Sequence, residues 1–416
     1  MKKLVIFVSL VTMLVVASLG ALAVEITFWA MPNAPSEAHY DWMEEKAAEF
    51  EAETGIKVNF EETAWDMQDI NNAIATGEGA EVFQVGTTQN AQYAATEQLV
   101  DLNIEDFGGA DSFAEASLAS TKYNGEYYGV PWFAETRCLY YNKDMFEQAG
   151  AEVPETWTEL KAEGQKIVDE LGEGTAVAIA GTAAWDLQHN FSYLLWSNGG
   201  DWLNDENTKA VFNDEAGYEA MEYYVSLVDD GLASEACAEY NQPQADAAFI
   251  NGEAAMGILT PNQVSHIADE NPELNYGVAE PPAGPEGRAS FAGGSNLVIR
   301  SNTSQMKIEA AKAWVQFLIQ KGNAMEYAKD LTKFLPATKE ALNDPYYDDG
   351  VMATFKKTLG YATAYPSIPE WGQIEVAYRT YAGNVLTDYI NGDYDEDTAE
   401  EYMDQAADEI NSSILD

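Results

Sequence analysis

The chain has 416 residues, of which 70 are aspartate or glutamate and 21 are lysine or arginine, giving a formal net charge of −49. A charge of this sign repels phosphates and excludes a nucleic-acid partner. The acidic residues are dispersed and 46% of the residues are hydrophobic, so the composition predicts a folded chain, long enough for two domains, rather than a disordered one.

The first 23 residues have the pattern of a secretory signal. Lys2 and Lys3 precede an uncharged apolar run from Leu4, and Ala-Leu-Ala at 21–23 forms a small-x-small cleavage site before Val24. An uncleaved membrane anchor is the alternative, because roughly 20 apolar residues span a bilayer. We predict cleavage and export.

The N-terminal third alternates short strands and helices. Strands are predicted at 25–30, 56–60 and 82–85, and helices at 36–53 and 66–76. Short links between them predict a parallel α/β unit with right-handed crossovers. Ligands of such sheets bind beyond the carboxyl ends of the strands.

Two loops that follow predicted strands are therefore candidate ligand contacts. The first runs from Trp29 to Asn33, and the second, from 86 to 90, contains Thr88 and Gln89. Trp65 and Asp66 follow the second strand, where Asp66 could instead cap the next helix.

The most specific stretch of the chain is YYNKDMFEQAGAEVPETWTEL at 140–160. Its aromatic start predicts a strand. Asn142 or Asp144 can cap a short helix after that strand, and Gly150 can end the helix because glycine adopts the left-handed conformation without strain.

A second helix is predicted directly after this one. Pro154 stops helical continuation, and Thr156 with Glu159 three residues later predicts a capping box. In detail the stretch resembles the hallmark of the extracellular solute-binding proteins of ABC importers, in the large family around maltose-binding protein. In that family a strand leaving the interlobe hinge carries YYNKD, and a P-x-T-W turn follows.

Three further segments match the resemblance in the family's order. They are AAFINGEAAMGI at 247–258, FAGGSNLVI at 291–299 followed by a helix at 310–319, and FLPA at 334–337. The resemblance implies an α/β, two-lobed periplasmic-binding-protein fold with a hinge of about three crossovers, near 134–137, 293–295 and 335–336. It predicts a first lobe at 24–134 plus 296–334 and a second lobe at 138–292 plus 337–416.

The resemblance also implies a location outside the cytoplasm. Relatives from single-membrane bacteria usually carry a lipidated cysteine at the cleavage point, but Ala23 and Val24 are not cysteines. We therefore expect a periplasmic protein without a lipid anchor. Cys138 and Cys237 could pair in that oxidising compartment, although nothing in their spacing argues for it.

Sugars present apolar CH faces and hydroxyl groups, so a sugar site needs aromatic faces and planar polar groups. Glu135 aligns with a carboxylate that binds sugar in maltose-binding relatives, and Trp132 stands beside it. Asn262 stands where relatives often have a stacking tryptophan, which Trp371 could replace. The complete set of expected ligand contacts is Trp29, Asn33, Trp65, Asp66, Thr88, Gln89, Trp132, Glu135, His189, Asn190, Trp202, Asn262, Gly294, Ser295, Asn296, Trp371 and Arg379.

Each tryptophan in this set has a competing interpretation as a core residue, since most tryptophans are partly buried. For Trp371 the two interpretations predict different stabilities of an alanine variant, because truncating a core tryptophan costs about 3–5 kcal/mol of unfolding free energy.

Sequence motifs of other chemistries are missing. The sequence contains no G-x-S-x-G, H-E-x-x-H or G-x-x-x-x-G-K-[ST] motif. The stretch 393–397 begins like a calcium loop, but Thr398 replaces the required glycine and Asp404 the bidentate glutamate. His189 has no metal partner at fixed spacing. We expect no metal and no cofactor.

The sequence thus predicts a monomeric, non-enzymatic receptor that binds a neutral mono- or oligosaccharide between its lobes and delivers it to an ABC permease. A secreted glycoside hydrolase is the rival, because it too needs tryptophans and two carboxylates. A polyol or compatible solute as ligand, and a sensor-coupled role without transport, are further alternatives. Dispersed acid with few lysines also indicates a salt-rich habitat.

Overall fold

The computed structural model describes residues 24–64, 67–182, 186–395 and 397–415, so the predicted signal and the candidates Trp65 and Asp66 lie outside the described residues. The strands are β1 (Glu25–Ala30), β2 (Lys57–Glu62), β3 (Val82–Gly86), β4 (Lys122–Tyr123), β5 (Glu126–Tyr127), β6 (Val130–Thr136), β7 (Cys138–Asn142), β8 (Val177–Ala178), β9 (Met256–Leu259), β10 (Tyr276–Ala279), β11 (Ala292–Ile299) and β12 (Leu335–Pro336).

The helices are α1 (Ser36–Thr54), α2 (Gln68–Thr76), α3 (Asn90–Ala94), α4 (Glu115–Ala119), α5 (Lys143–Ala149), α6 (Trp157–Leu171), α7 (Leu187–Ser197), α8 (Glu215–Asp229), α9 (Gln242–Ile250), α10 (Gln263–Glu270), α11 (Gln305–Leu318), α12 (Lys321–Met325), α13 (Lys339–Leu342), α14 (Gly350–Leu359), α15 (Trp371–Asn391) and α16 (Thr398–Glu409). Short 3-10 or π turns lie at Ile104–Phe107, Ala110–Ser112, Glu235–Glu239, Glu326–Thr332, Pro345–Asp348 and Ile410–Ile414.

Two sheets form the centres of two lobes. The first has the strand order β12-β6-β11-β3-β1-β2, and the second has the order β10-β7-β9-β8. β1 pairs in parallel with β2 and β3, which confirms the parallel unit predicted for the N-terminal third. β11 is antiparallel to both of its neighbours.

The chain passes between the two sheets three times. It passes directly from β6 to β7 through Arg137, from β10 to β11, and again after β12. The Ser290 hydroxyl ties the first two passages together: it donates to the Arg137 carbonyl (2.9 Å), accepts from the Arg137 amide (3.2 Å) and lies 2.7 Å from the Thr136 hydroxyl. The predicted two-lobed fold is confirmed, whereas the lobe boundaries stay predictions.

The capping signals after β7 are largely confirmed. The Asn142 side chain accepts from the amides of Asp144 (3.1 Å) and Met145 (3.2 Å), and Gly150 ends α5 with a φ of 63°. Thr156 accepts from the Glu159 amide at 3.2 Å. The reverse bond of the capping box differs from the prediction, because Glu159 accepts from the Glu155 amide (2.8 Å) rather than from Thr156.

The Cys138 and Cys237 thiols are both buried and unpaired, so no disulfide joins them. Within the described ranges, no helix combines the length and the apolar character needed to cross a membrane.

Candidate functional site

A cavity of about 710 Å³ lies between the two lobes. Its first-lobe wall consists of Met67, Asn71, Gln89, Gln92 and Tyr93, and its second-lobe wall of Gly372, Gln373, Val376, Ala377, Arg379, Glu409, Ser413 and Ile414. Two smaller cavities, of about 390 and 220 Å³, are lined by second-lobe residues alone. Of these three cavities in the described part of the chain, the first has the two-sided lining expected of an interlobe site.

The lining of this interlobe cavity is rich in groups that can pair with hydroxyls. Four side-chain amides, one guanidinium and one carboxylate reach it, and Val376 supplies an apolar surface that is 47% exposed. Tyr93 donates to the Asn71 carbonyl oxygen at 2.8 Å. The predicted contacts Gln89 and Arg379 are both in this lining, on opposite walls.

A polar cluster lies at the first passage between the lobes. Arg137 is 2% exposed and donates to Asp186 and, at 3.0 Å, to the Asn190 carbonyl oxygen. Glu135 is half-buried beside it. Burial raises the pKa of Glu135, and the Arg137 charge opposes this shift.

The cluster continues into the second lobe as a chain of hydrogen bonds. Asn190 donates to the Gln242 carbonyl oxygen at 2.6 Å. Gln242 and Gln263 in turn donate to the two oxygens of Asp246, at 2.5 and 2.7 Å. Burial raises the pKa of Asp246 to about 7. The predicted contact Asn190 therefore uses its side-chain oxygen and one N–H to connect Arg137 with Gln242.

Aromatic rings stack on one side of the second lobe, next to this cluster. Trp371 is 1% exposed and stacks on Tyr365, with ring centroids 4.4 Å apart. Tyr365 hydrogen-bonds Nδ1 of His189 (2.8 Å), and the His189 ring stacks on Phe291 at 4.3 Å. Burial lowers the pKa of His189 to about 3, so its ring is neutral. The structure places Trp371 and His189 as packing residues.

Two other candidate tryptophans also lie in lobe cores. Trp132 is 1% exposed and stacks on Tyr327 at 4.2 Å. Trp202 is 1% exposed and donates to the Ser192 hydroxyl at 3.0 Å. Their placement favours the core interpretation over ligand contact, because neither ring has a face open to the cleft.

Several predicted polar contacts are used inside the first lobe. Asn33 donates to Gln84 (3.1 Å) and to the Tyr327 hydroxyl (2.7 Å), and Gln84 donates to Ser295 at 2.9 Å. Asn296 donates to the Ser120 hydroxyl at 3.0 Å. These side chains connect neighbouring elements, so few of their groups remain for a ligand.

The remaining candidates have different surroundings. Gly294 has a φ of 125°, and a Cβ there would lie 2.2 Å from the Phe133 carbonyl oxygen, so close strand packing requires this glycine. Asn262 accepts from the Thr260 hydroxyl at 2.5 Å. Trp29 donates to Glu61 at 2.7 Å, and Thr88 is half-buried in the turn before α3.

Glu375 was not predicted as a site residue, yet it is a buried acid next to the cavity lining. It is 1% exposed and accepts from Trp371 Nε1 at 2.8 Å. Burial raises the pKa of Glu375 from 4.5 to about 7. Below pH 4.5 the carboxyl is protonated whether the chain is folded or unfolded, whereas above pH 7 the folded state carries a buried charge. The stabilising contribution of the neutral Glu375 carboxyl is therefore lost as the pH rises through about 7.

We expect Glu375→Gln to abolish this decrease of the unfolding free energy at high pH, because glutamine does not ionise. Relative to the parent, the variant should gain roughly 3 kcal/mol of unfolding free energy between pH 4.5 and about pH 8, at 1.36 kcal/mol per pKa unit. Denaturant unfolding at both pH values measures the gain, with Glu239→Gln, an exposed acid, as the control. A difference between variant and parent that does not change with pH would contradict the expectation.

Comparisons with known proteins agree with this architecture. The model of the family "bacterial extracellular solute-binding protein" matches residues 33–325. A Brucella abortus protein described only as a binding protein is 34% identical over 341 residues, which cover 80% of this chain and 82% of that relative. The diacetylchitobiose-binding protein DasA of Streptomyces coelicolor is 27% identical, covering 84% and 81% of the two chains.

Among solved structures, maltose-bound MalE3 of T. maritima superposes with a TM-score of 0.81 at 26% identity, covering 93% of this chain and 99% of that one. The family match extends over most of the chain and includes residues of both lobes. The chain belongs to the bacterial extracellular solute-binding protein family.

Proposed function

We propose that this protein is the substrate-binding component of an ABC transporter and binds a neutral carbohydrate in the interlobe cavity. The observation that carries the proposal is the lining of that cavity, which draws side-chain amides from both lobes. Amides both donate and accept hydrogen bonds, as sugar hydroxyls do. The sugars bound by the diacetylchitobiose-binding and maltose-bound relatives support the same class of ligand.

Within this proposal, Gln89 and Arg379 contact the ligand from opposite lobes, and Glu135 accepts hydrogen bonds from sugar hydroxyls at the hinge. The contacts from both walls are complete only when the lobes are closed, so the ligand shifts the population towards the closed state. The permease distinguishes a loaded receptor from an empty one by the closed arrangement of its lobes.

The proposal includes a location and an assembly state. We infer a monomer that is soluble in the periplasm after cleavage at residue 23. Mass spectrometry of the mature protein isolated from cells would reveal a lipid or an uncleaved signal if this inference is wrong.

A thermal-shift screen in high salt against sugars, polyols and osmolytes tests the proposed function. A sugar at about 100 times its dissociation constant should stabilise the protein by roughly 2.7 kcal/mol. Glu135→Ala should then weaken binding of the best sugar by about 1–3 kcal/mol, since it leaves hydroxyls unpaired in a closed cleft. Glu135→Gln should keep part of that binding, and Glu239→Ala should bind like the parent.

Three outcomes would contradict the proposal. A shift with polyols or osmolytes and none with sugars would change the ligand class. Catalytic hydrolysis of the best sugar, detected by mass spectrometry, would favour the alternative that the protein is a glycoside hydrolase. Parent-like affinity of Glu135→Ala would remove Glu135 from the site.

A further inference from the structure

The turn at residues 409–414, which follows α16, lies in the second-lobe wall of the interlobe cavity. Glu409, Ser413 and Ile414 all line the cavity, opposite Met67 and Asn71 of the first lobe. None of these three residues was predicted from the sequence as a ligand contact. The 409–414 turn is therefore a part of the cleft that the hinge motifs do not identify.

Three contacts hold this turn firmly on the second lobe. Ile410 is fully buried in the core of that lobe. The Asn411 side-chain oxygen accepts from the Ala210 amide at 2.8 Å, and the Glu409 carboxylate accepts from the Tyr381 hydroxyl at 2.8 Å. Because these side chains fix the turn against the second lobe, we expect a larger side chain at the cavity edge to extend into the cavity.

We propose that the 409–414 turn is an outer wall of the ligand cleft and that Ser413 and Ile414 contact the sugar unit nearest the mouth of the cleft. Ile414 and Val376 offer apolar surface to the CH groups of that unit, and the Ser413 hydroxyl offers a donor and an acceptor. The inference rests on the proposed function, since it assigns a specificity-determining wall to the same site.

Two adjacent serines make a matched test possible. Ser413 and Ser412 are both exposed, so a large side chain at either position leaves the core intact. Ser413 lines the cavity, whereas the Ser412 hydroxyl donates to the Asp408 carbonyl at 2.6 Å on the preceding turn and the residue is outside the cavity lining. The two hydroxyls lie 3.4 Å apart, so Ser413→Trp and Ser412→Trp add the same volume at adjacent positions, of which Ser413 lines the cavity and Ser412 does not.

The experiment measures calorimetric affinity of the parent and both variants for glucose, maltose, maltotriose and diacetylchitobiose. For the sugar that the parent binds most tightly, Ser413→Trp should weaken binding by about tenfold or more, which corresponds to 1.4 kcal/mol. Ser412→Trp should bind like the parent. The melting temperatures of both variants without sugar should equal that of the parent, which separates a blocked cleft from a damaged fold.

Parent-like affinity of Ser413→Trp would overturn the inference, and so would an equal loss in Ser412→Trp. If Ser413→Trp binds normally while Glu135→Ala does not, the inference fails and the proposed function stands. If the parent binds none of the sugars, in this set or in the wider screen, the proposed function and the inference fail together.

Discussion

Replacement of Arg137 by leucine should destabilise the protein by up to about 3–5 kcal/mol, the cost of breaking a buried ion pair, because it leaves the buried Asn190 and the half-buried Asp186 without their cation. Arg137 is the hydrogen-bond donor to Asp186 and Asn190, and its charge also faces Glu135. Among the side chains of the described residues, Gln242 would then remain as the hydrogen-bond partner of the Asn190 side chain. Denaturant unfolding at neutral pH measures the change in free energy.

Two control variants make this expectation specific. Arg288→Leu removes an arginine that is 27% exposed and lies 3.6 Å from an exposed glutamate, so it should cost at most about 1 kcal/mol. The double replacement Arg137→Leu with Asp186→Leu should recover part of the loss, since no carboxylate then remains unpaired at that position. Equal losses from Arg137→Leu and Arg288→Leu would show that burial of the hinge arginine does not matter.

Trp371→Ala should lower the free energy of unfolding by about 3–5 kcal/mol, as expected for a buried tryptophan. The indole is 1% exposed, stacks on Tyr365 and meets the ring of Trp202 edge-on at 5.9 Å. Its removal would also take one hydrogen-bond donor, the indole N–H, from Glu375. The fraction that stays folded should bind sugar with parent-like affinity.

A second tryptophan provides the comparison. The ring of Trp196 also contacts the ring of Tyr365, with centroids 5.6 Å apart. However, Trp196 is half-buried, and its indole N–H donates to the Asp201 carboxylate at 3.2 Å. Trp196→Ala should therefore cost clearly less than Trp371→Ala when both are measured by denaturant unfolding. If Trp371→Ala has parent-like stability but binds sugar weakly, Trp371 is a ligand contact and not a core residue.

The sequence was informative wherever the determining contacts are local. Asn142 and Gly150 act within a few residues of their position, so the ends of α5 could be predicted. The alternation at the start of the chain likewise predicted the strand–helix order of the first sheet. The capping box differed because Glu155 and Thr156 present neighbouring amides, and the Glu159 carboxylate can reach either.

The site was harder to predict because its side chains are selected by partners that are distant in sequence. Arg137 stood within the predicted hinge, but its partners Asp186 and Asn190 lie on another element. Ser413 offered no signal beyond being a serine. The tryptophans give an ambiguous signal, because stacking on a sugar and stacking on Tyr365 or Tyr327 require the same flat ring.

The position of β11 in the first sheet has a consequence for the order in which the lobes form. β11 lies between β6 and β3, yet it follows every strand of the second sheet in the chain. Until residues 292–299 have been synthesised, β3 and β6 both lack the strand that pairs with each of them, and the first sheet exists only as separate parts. Pairing across such a long loop is slow, because the entropy of loop closure must be overcome before the contacts form. For a chain predicted to be exported, this late completion of the first lobe allows secretion to precede folding.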